Sequence, residues 1–197
     1  MKNDRSRADF YTLKAQKEGY PARSVYKLKE IDEKFRILGK GQVVADIGAA
    51  PGSWSLYACR KTGKDGRVVG IDLKEFQINP DGAAFTGFFG DAFDPKNTEK
   101  IAAAGPYDTV LSDAAPATTG NRTVDAGASF EIVEQVVTLA GTILKKGGNL
   151  VVKVFQGGDE KEIFDRMKEM FEIVKSFKPE ACRKISFETY FIGKGKK

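Results

Sequence analysis

The 197-residue chain contains no histidine. That removes Ser-His and Cys-His nucleophilic pairs and histidine-based metal sites. Proton transfer is left to Lys, Asp, Glu, Tyr or Cys. There are two cysteines, Cys59 and Cys182, with neither metal-ligand spacing nor a disulfide framework, so reduced and partly buried thiols are expected. No apolar run is long enough for a membrane helix. The polar start MKNDRSRADFYTLKAQ has no apolar signal region. These absences lead us to expect a cytoplasmic monomer. No repeat, low-complexity stretch or Pro/Gly-rich linker divides the chain, and its length suits one domain over 1–197.

Charge is unevenly spread. Residues 1–29 carry eight Lys/Arg against three Asp/Glu, and residues 175–197 carry seven against two. The stretch between them carries seventeen against twenty-two. Basic ends around an acidic middle suit a polyanion gripped by the termini, or tails that merely solubilise. The segment at about 1–22 holds Lys2, Arg5, Arg7, Lys14 and Lys17 interleaved with Phe10 and Tyr11, and Tyr20, Arg23 and Tyr26 continue the mixture. Cations for phosphates and rings for unpaired bases are what single-stranded RNA needs. The opposing reading is a tail followed by a helix whose aromatics pack on the sheet, which is preferred for Tyr26. Arg5, Arg7 and Arg23 are read as RNA contacts. Lys194, Lys196 and Lys197 either add nonspecific attraction or fray.

Strands and helices alternate from residue 42. Apolar runs predict strands at 43–47, 67–72, 85–89, 107–113, 149–155, 173–177 and 187–193. Helices are predicted at 53–61, within 126–145 and at about 159–171, the second on the three- and four-residue spacing of Ile132, Val133, Val136, Val137, Ala140 and Leu144. Lys146-Gly147-Gly148 is its expected terminator. This is an α/β pattern, implying a parallel sheet covered by helices on both faces. Ligands in such sheets bind outside the carboxyl ends of the strands, where strand order reverses. The residues at those ends are Asp46, Asp72, Asp91, Asp113 and Lys153. Four acids in a row exceed what packing requires.

The first turn, Asp46-Ile47-Gly48-Ala49-Ala50-Pro51-Gly52-Ser53-Trp54, has neither the GxGxxG spacing nor a Walker lysine, which disfavours nucleotide phosphates. Its small residues let the backbone approach a ligand. Asp72 is placed for ribose hydroxyls and Asp91 for an adenine amino group. Together they describe a site for an adenosine without phosphates. S-adenosylmethionine fits, because its sulfonium and amino group favour acidic walls. Taken singly the features are weak: a strand-end Asp is often a helix N-cap, and a lone Trp is usually core. Lys153 stands apart. It interrupts the apolar run Val151-Val152-Lys153-Val154-Phe155, where an unpaired lysine is costly, so function explains it better than packing.

These residues carry a resemblance that spans nearly the whole chain. The segments 23–32, 46–55, 111–116, 151–157 and 178–190 resemble, in order and spacing, the FtsJ/RrmJ family of ribose 2′-O-methyltransferases. The resemblance is strongest to the bacterial enzymes acting on a uridine of large-subunit (23S) ribosomal RNA. It implies a Rossmann-like methyltransferase fold, a mostly parallel seven-stranded sheet with its final strand antiparallel. It implies a Lys-Asp-Lys-Glu tetrad of Lys27, Asp113, Lys153 and Glu188, with Lys153 as general base or, staying charged, as the group that steers the 2′-oxygen. It implies S-adenosylmethionine against Gly52, Trp54, Asp72, Asp91 and Asp113, without a metal, and ribosomal RNA or the large subunit as partner. Two other readings stay open: the same chemistry on tRNA, and a non-catalytic RNA-binding assembly factor. The chain departs from the family pattern at Ser53, where a second Gly is usual, at Ala117, where Asn is usual, and at Cys182, where Ser is usual.

Overall fold

A computed structural model describes residues 3–78, 80, 82–183 and 185–197, with side chains from residue 10 onward. The elements run α1 (Asn3–Lys17), α2 (Val25–Phe35), β1 (Val43–Ile47), α3 (Ser53–Thr62), β2 (Arg67–Asp72), β3 (Ala84–Phe89), α4 (Pro95–Ala104), β4 (Tyr107–Ser112), α5 (Arg122–Ile143), β5 (Leu144–Phe155), α6 (Glu160–Met170), β6 (Phe171–Phe177) and β7 (Glu188–Lys196). The seven strands form one sheet in the order β3-β2-β1-β4-β5-β7-β6, with only β7 antiparallel to its neighbours. The order reverses between β1 and β4.

Alternation along the strands divides the core in two. Val44, Val68, Leu111 and Val151 point to the face covered by α1, α2 and α3. Ala45, Val69, Val110 and Val152 point to the face covered by α4, α5 and α6. A sheet buried on both faces needs such near-continuous apolar strands. On α2, Val25, Leu28 and Ile31 are fully buried. At about 2 kcal/mol each, they hold this helix, and hence Lys27, firmly over β5 and β7.

Three local features differ from the sequence expectation. Helix α4 was not foreseen, because Ile101 is its only buried residue and leaves no periodic stripe. Its start was nevertheless written in Asp94-Pro95: Asp94 accepts a hydrogen bond from the Lys96 N–H, and Pro95 occupies the first turn. Helix α5 begins at Arg122, four residues before the expected window, because the Asn121 side chain caps the N–H groups of Thr123 and Val124. It ends at Ile143, before Lys146-Gly147-Gly148. Leu144 is buried and already pairs with Tyr107, and a register shift between Tyr107 and Thr109 accommodates the glycines inside β5.

The carboxy-terminal lysines neither fray nor stand free. The Nζ of Lys194 donates to the carbonyl of Phe35 at the end of α2. That of Lys196 donates to the carbonyls of Gly141 and Leu144 at the end of α5. That of Lys197 donates to Lys168 in the last turn of α6. Cations at helix carboxyl ends satisfy orphan carbonyls and complement the helix dipole. Much of the basic C-terminus is therefore used inside the fold.

Candidate active site

A cavity of about 540 Å³ opens at the carboxyl ends of β1, β2, β3 and β4, where strand order reverses. Asp72, Asp91 and Asp113 line it, with Gly48, Leu73 and Lys74. The volume lies in the range usual for small-molecule sites, roughly 300–1,000 Å³. The loop after β1 forms the wall. Gly48 and Ala49 donate their N–H groups to the Ile71 carbonyl, and the Ala50 N–H donates to Asp72 Oδ2 at 2.9 Å. Asp72 Oδ1 accepts from the Lys74 N–H at 2.8 Å, so this carboxylate fixes both loops. Gly48, at φ +74°, could not be replaced: a Cβ would lie 2.6 Å from Ala114 Cβ and 2.9 Å from its Cα.

Behind this wall sits Asp46, 1 % exposed. Its Oδ2 accepts from the Ser55 hydroxyl at 2.7 Å, while Oδ1 has no partner among the described residues. Burial, with lesser contributions from Asp113 and Asp72, pushes its carboxyl up to about 7.

The four tetrad residues, up to 161 positions apart, meet beside the cavity. Lys153 is 7 % exposed, its Nζ 3.2 Å from Asp113 Oδ1 and donating to the Asp113 carbonyl. Lys27 Nζ lies 2.9 Å from both oxygens of Glu188. Two cations and two anions thus balance in a nearly dry space. Burial opposes ionisation of Asp113, but Lys153 and Lys27 hold its carboxyl below the usual range. Burial also favours neutral Lys27, and Asp113 and Glu188 outweigh it, so its pKa is raised.

Tyr190 joins the two pairs. It faces Lys153 across the β5–β7 ladder, and its hydroxyl donates to Asp113 Oδ1 at 2.7 Å. Lys27 Nζ lies 5.9 Å from its ring centroid. Burial and the neighbouring carboxylates push the Tyr190 phenol well above its ordinary value, which keeps it a donor. Sequence reasoning did not single out this residue. The available signal was its spacing from Glu188, since positions two apart in a strand share a face.

The FtsJ-like methyltransferase family model matches residues 20–196. The chain belongs to this family. Among its relatives, "Ribosomal RNA large subunit methyltransferase E" of Treponema denticola is 47 % identical over 192 residues, covering 98 % of this chain and 96 % of the relative. The protein of that name from Borreliella afzelii is 49 % identical over 187 residues, covering 94 % and 97 %. Among solved structures, one described as a ribosomal RNA methyltransferase from Plasmodium falciparum superimposes with a TM-score of 0.76 at 27 % identity, covering 90 % of this chain and 98 % of that one. The sheet and its helical layers are therefore those of an FtsJ-like methyltransferase.

In this FtsJ-like chain, several expected site residues make internal contacts. Trp54 is 2 % exposed and does not line the cavity. Its indole N–H donates to the Ser24 carbonyl at 2.9 Å and its ring packs 5.8 Å from that of Tyr190, so it braces α2 and the tetrad from behind. Gly52 caps the start of α3 at φ +111°, where a Cβ would sit 2.6 Å from Ile78 Cγ2. Arg23 turns inward, with Nη2 donating to the Ala181 carbonyl at 2.8 Å and the guanidinium 5.3 Å from the Tyr11 ring. Arg5 and Arg7 fall within α1, but their side chains lie outside the described residues. Tyr26 is buried, as preferred on sequence. The family departure at Ser53 has a local cause: its buried hydroxyl accepts the Ala22 N–H at 2.7 Å and pins the α1–α2 connection to α3.

Proposed function

We propose that this chain transfers the methyl group of S-adenosylmethionine to the 2′-hydroxyl of a uridine in large-subunit ribosomal RNA. One observation carries the reading: Asp113 belongs both to the acidic cavity and to the tetrad, where it touches Lys153. A methyl donor in the cavity and an acceptor oxygen at Lys153 would share Asp113 as a common wall. The donor fits the cavity because three carboxylates line it. Asp72 and Asp91 would hold the adenosine and Asp113 the cationic end. When bound, S-adenosylmethionine supplies an electrophilic methyl group. The RNA target is supported by the relatives named above.

The protein's own work is positional and protonic. Fixing the acceptor hydroxyl in line can supply roughly 7–11 kcal/mol of barrier reduction. Lys153, as the free amine left once its resting ammonium has released a proton to solvent, engages that hydroxyl and takes its proton on Nζ, and Asp113 stabilises the ammonium formed. Lys27 and Glu188 hold the far side of the site, and Tyr190 keeps Asp113 oriented.

The test is to incubate the protein with methyl-labelled S-adenosylmethionine and, in parallel reactions, large subunits or tRNA from cells lacking the enzyme, then map ribose methylation. A new 2′-O-methyluridine in large-subunit RNA is expected. Label in tRNA instead, or in no RNA, would overturn the proposal.

A further inference from the structure

Asp113 and Lys153 stand at the ends of neighbouring strands, and the loops leaving those strands meet at one side chain. The connection after β4 is largely exposed from Ala115 to Val124, and residues 156–159 after β5 are exposed throughout. Arg122, the first residue of α5, joins them. Its Nε donates to the Gln156 carbonyl at 3.3 Å, and its guanidinium carbon lies 5.4 Å from the centroid of Phe187. Phe187 packs on Phe155 with ring centroids 4.7 Å apart, and the Phe155 centroid is 5.9 Å from Lys153 Nζ. Phe187 also immediately precedes Glu188. A short relay of rings therefore separates an exposed guanidinium from the tetrad.

The arginine is held rather than loose. Gly157, at φ +113°, packs so closely that a Cβ would come within 3.2 Å of Arg122 Nε. Of the guanidinium's five N–H donors, Nε alone has a partner among the described residues, and no carboxylate there pairs with it. Glu160, in the same rim, accepts instead from the N–H groups of Gly157 and Gly158. An arginine with one edge anchored, one flank against an aromatic ring and its terminal N–H groups free suits two-point binding of a phosphate from solvent. The composition of the rim favours this ligand over an acidic protein, since the half-buried Phe187 beside it is what a nucleotide base would meet next.

We infer that Arg122 binds a phosphodiester of the RNA strand whose ribose is presented to Lys153, and so acts as a substrate-positioning residue. The inference rests on the RNA-methylation reading above. Full-length wild type, Arg122→Ala and Arg122→Lys are compared in two assays. The first is binding to deproteinised large-subunit ribosomal RNA over a range of salt, without methyl donor. The second is steady-state methylation of large subunits. Arg122→Ala should weaken RNA binding about tenfold, as loss of a charged hydrogen bond does. It should flatten the slope of log affinity against log salt by about 0.7–0.9, the contribution of one phosphate. The KM for RNA should rise with kcat preserved. Arg122→Lys should recover the slope but only part of the affinity. A structural role would lower Tm and leave the slope alone. Wild-type affinity and slope in Arg122→Ala would overturn the inference. If the slope changes but the wild type methylates no RNA, Arg122 stands and the methylation reading fails.

Discussion

Replacing Lys153 with Met tests the proposed chemistry most directly. Met approximates the length of the lysine stem, so the apolar contacts of β5 survive and the amine alone is lost. The change leaves Asp113 without the nearer of its two cationic neighbours, while the Tyr190 hydroxyl and the field of Lys27 remain. Breaking a buried pair costs about 3–5 kcal/mol when no other partner remains. The surviving partners bring this to about 2 kcal/mol, or roughly 4–8 °C in Tm for a domain of this size. The protein therefore stays folded at assay temperature. Loss of a general base costs about 10²–10⁴ in rate, which is about 3–5 kcal/mol of barrier. Single-turnover transfer of labelled methyl to large subunits should fall by that factor. Donor affinity by calorimetry should stay close to wild type, because Lys153 does not line the cavity. Lys153→Arg sharpens the result, since a guanidinium keeps the charge but cannot give up its proton. It should be as slow as Lys153→Met if Lys153 accepts the proton, and substantially faster if the charge only steers the oxygen. Wild-type single-turnover rate in Lys153→Met would refute the reasoning.

Asp72→Ala should weaken donor binding by at least tenfold, because it removes a cavity carboxylate and frees the Ala50 and Lys74 N–H groups that shape both loops; unchanged affinity by calorimetry would contradict the role. Asp46→Asn should become progressively more stabilising relative to wild type as pH rises. Asp46 titrates at about 7 in the fold against 3.8 when exposed, so the unfolded chain ionises first and wild-type stability falls across that window. The gap should widen between pH 4 and 7, by at most about 4 kcal/mol, and flatten above; denaturant unfolding at a series of pH values measures it. Lys196→Ala should lower Tm by a few degrees through loss of the α5 carboxyl-end cap, while the salt dependence of RNA binding stays that of wild type. A flatter salt slope in Lys196→Ala would return this lysine to the RNA surface.

The strands around the site were readable because β-branched runs ending in Gly or Asp leave a strong local signal. β1 and β2 match the expected spans, and Asp72 at the end of β2 lies where the strand-order rule puts a ligand. Helix α4 was missed because one buried residue makes no period, and α5 was begun late because its first turn is polar and its cap was overlooked. Trp54 and Arg23 carry plausible ligand chemistry, and the structure adds internal contacts to both. Which way a long side chain turns depends on neighbours distant in sequence, here Ser24 and Tyr190 for Trp54, and Ala181 for Arg23.

The residues alone specified an α/β sheet, a row of strand-end acids readable as an adenosine site and a lysine too deep in an apolar strand to be decorative, because composition and periodicity act over a few neighbouring residues. Family resemblance added the 2′-hydroxyl and the other tetrad members. Only the tertiary structure decided the pairings: Lys27 with Glu188, Lys153 with Asp113, Tyr190 between them, Arg122 on the rim, and the terminal lysines spent on helix ends. Those contacts join residues tens to more than a hundred positions apart. Their partners follow from how β7 enters the sheet antiparallel beside β5, a choice made by global packing rather than by any local run of sequence.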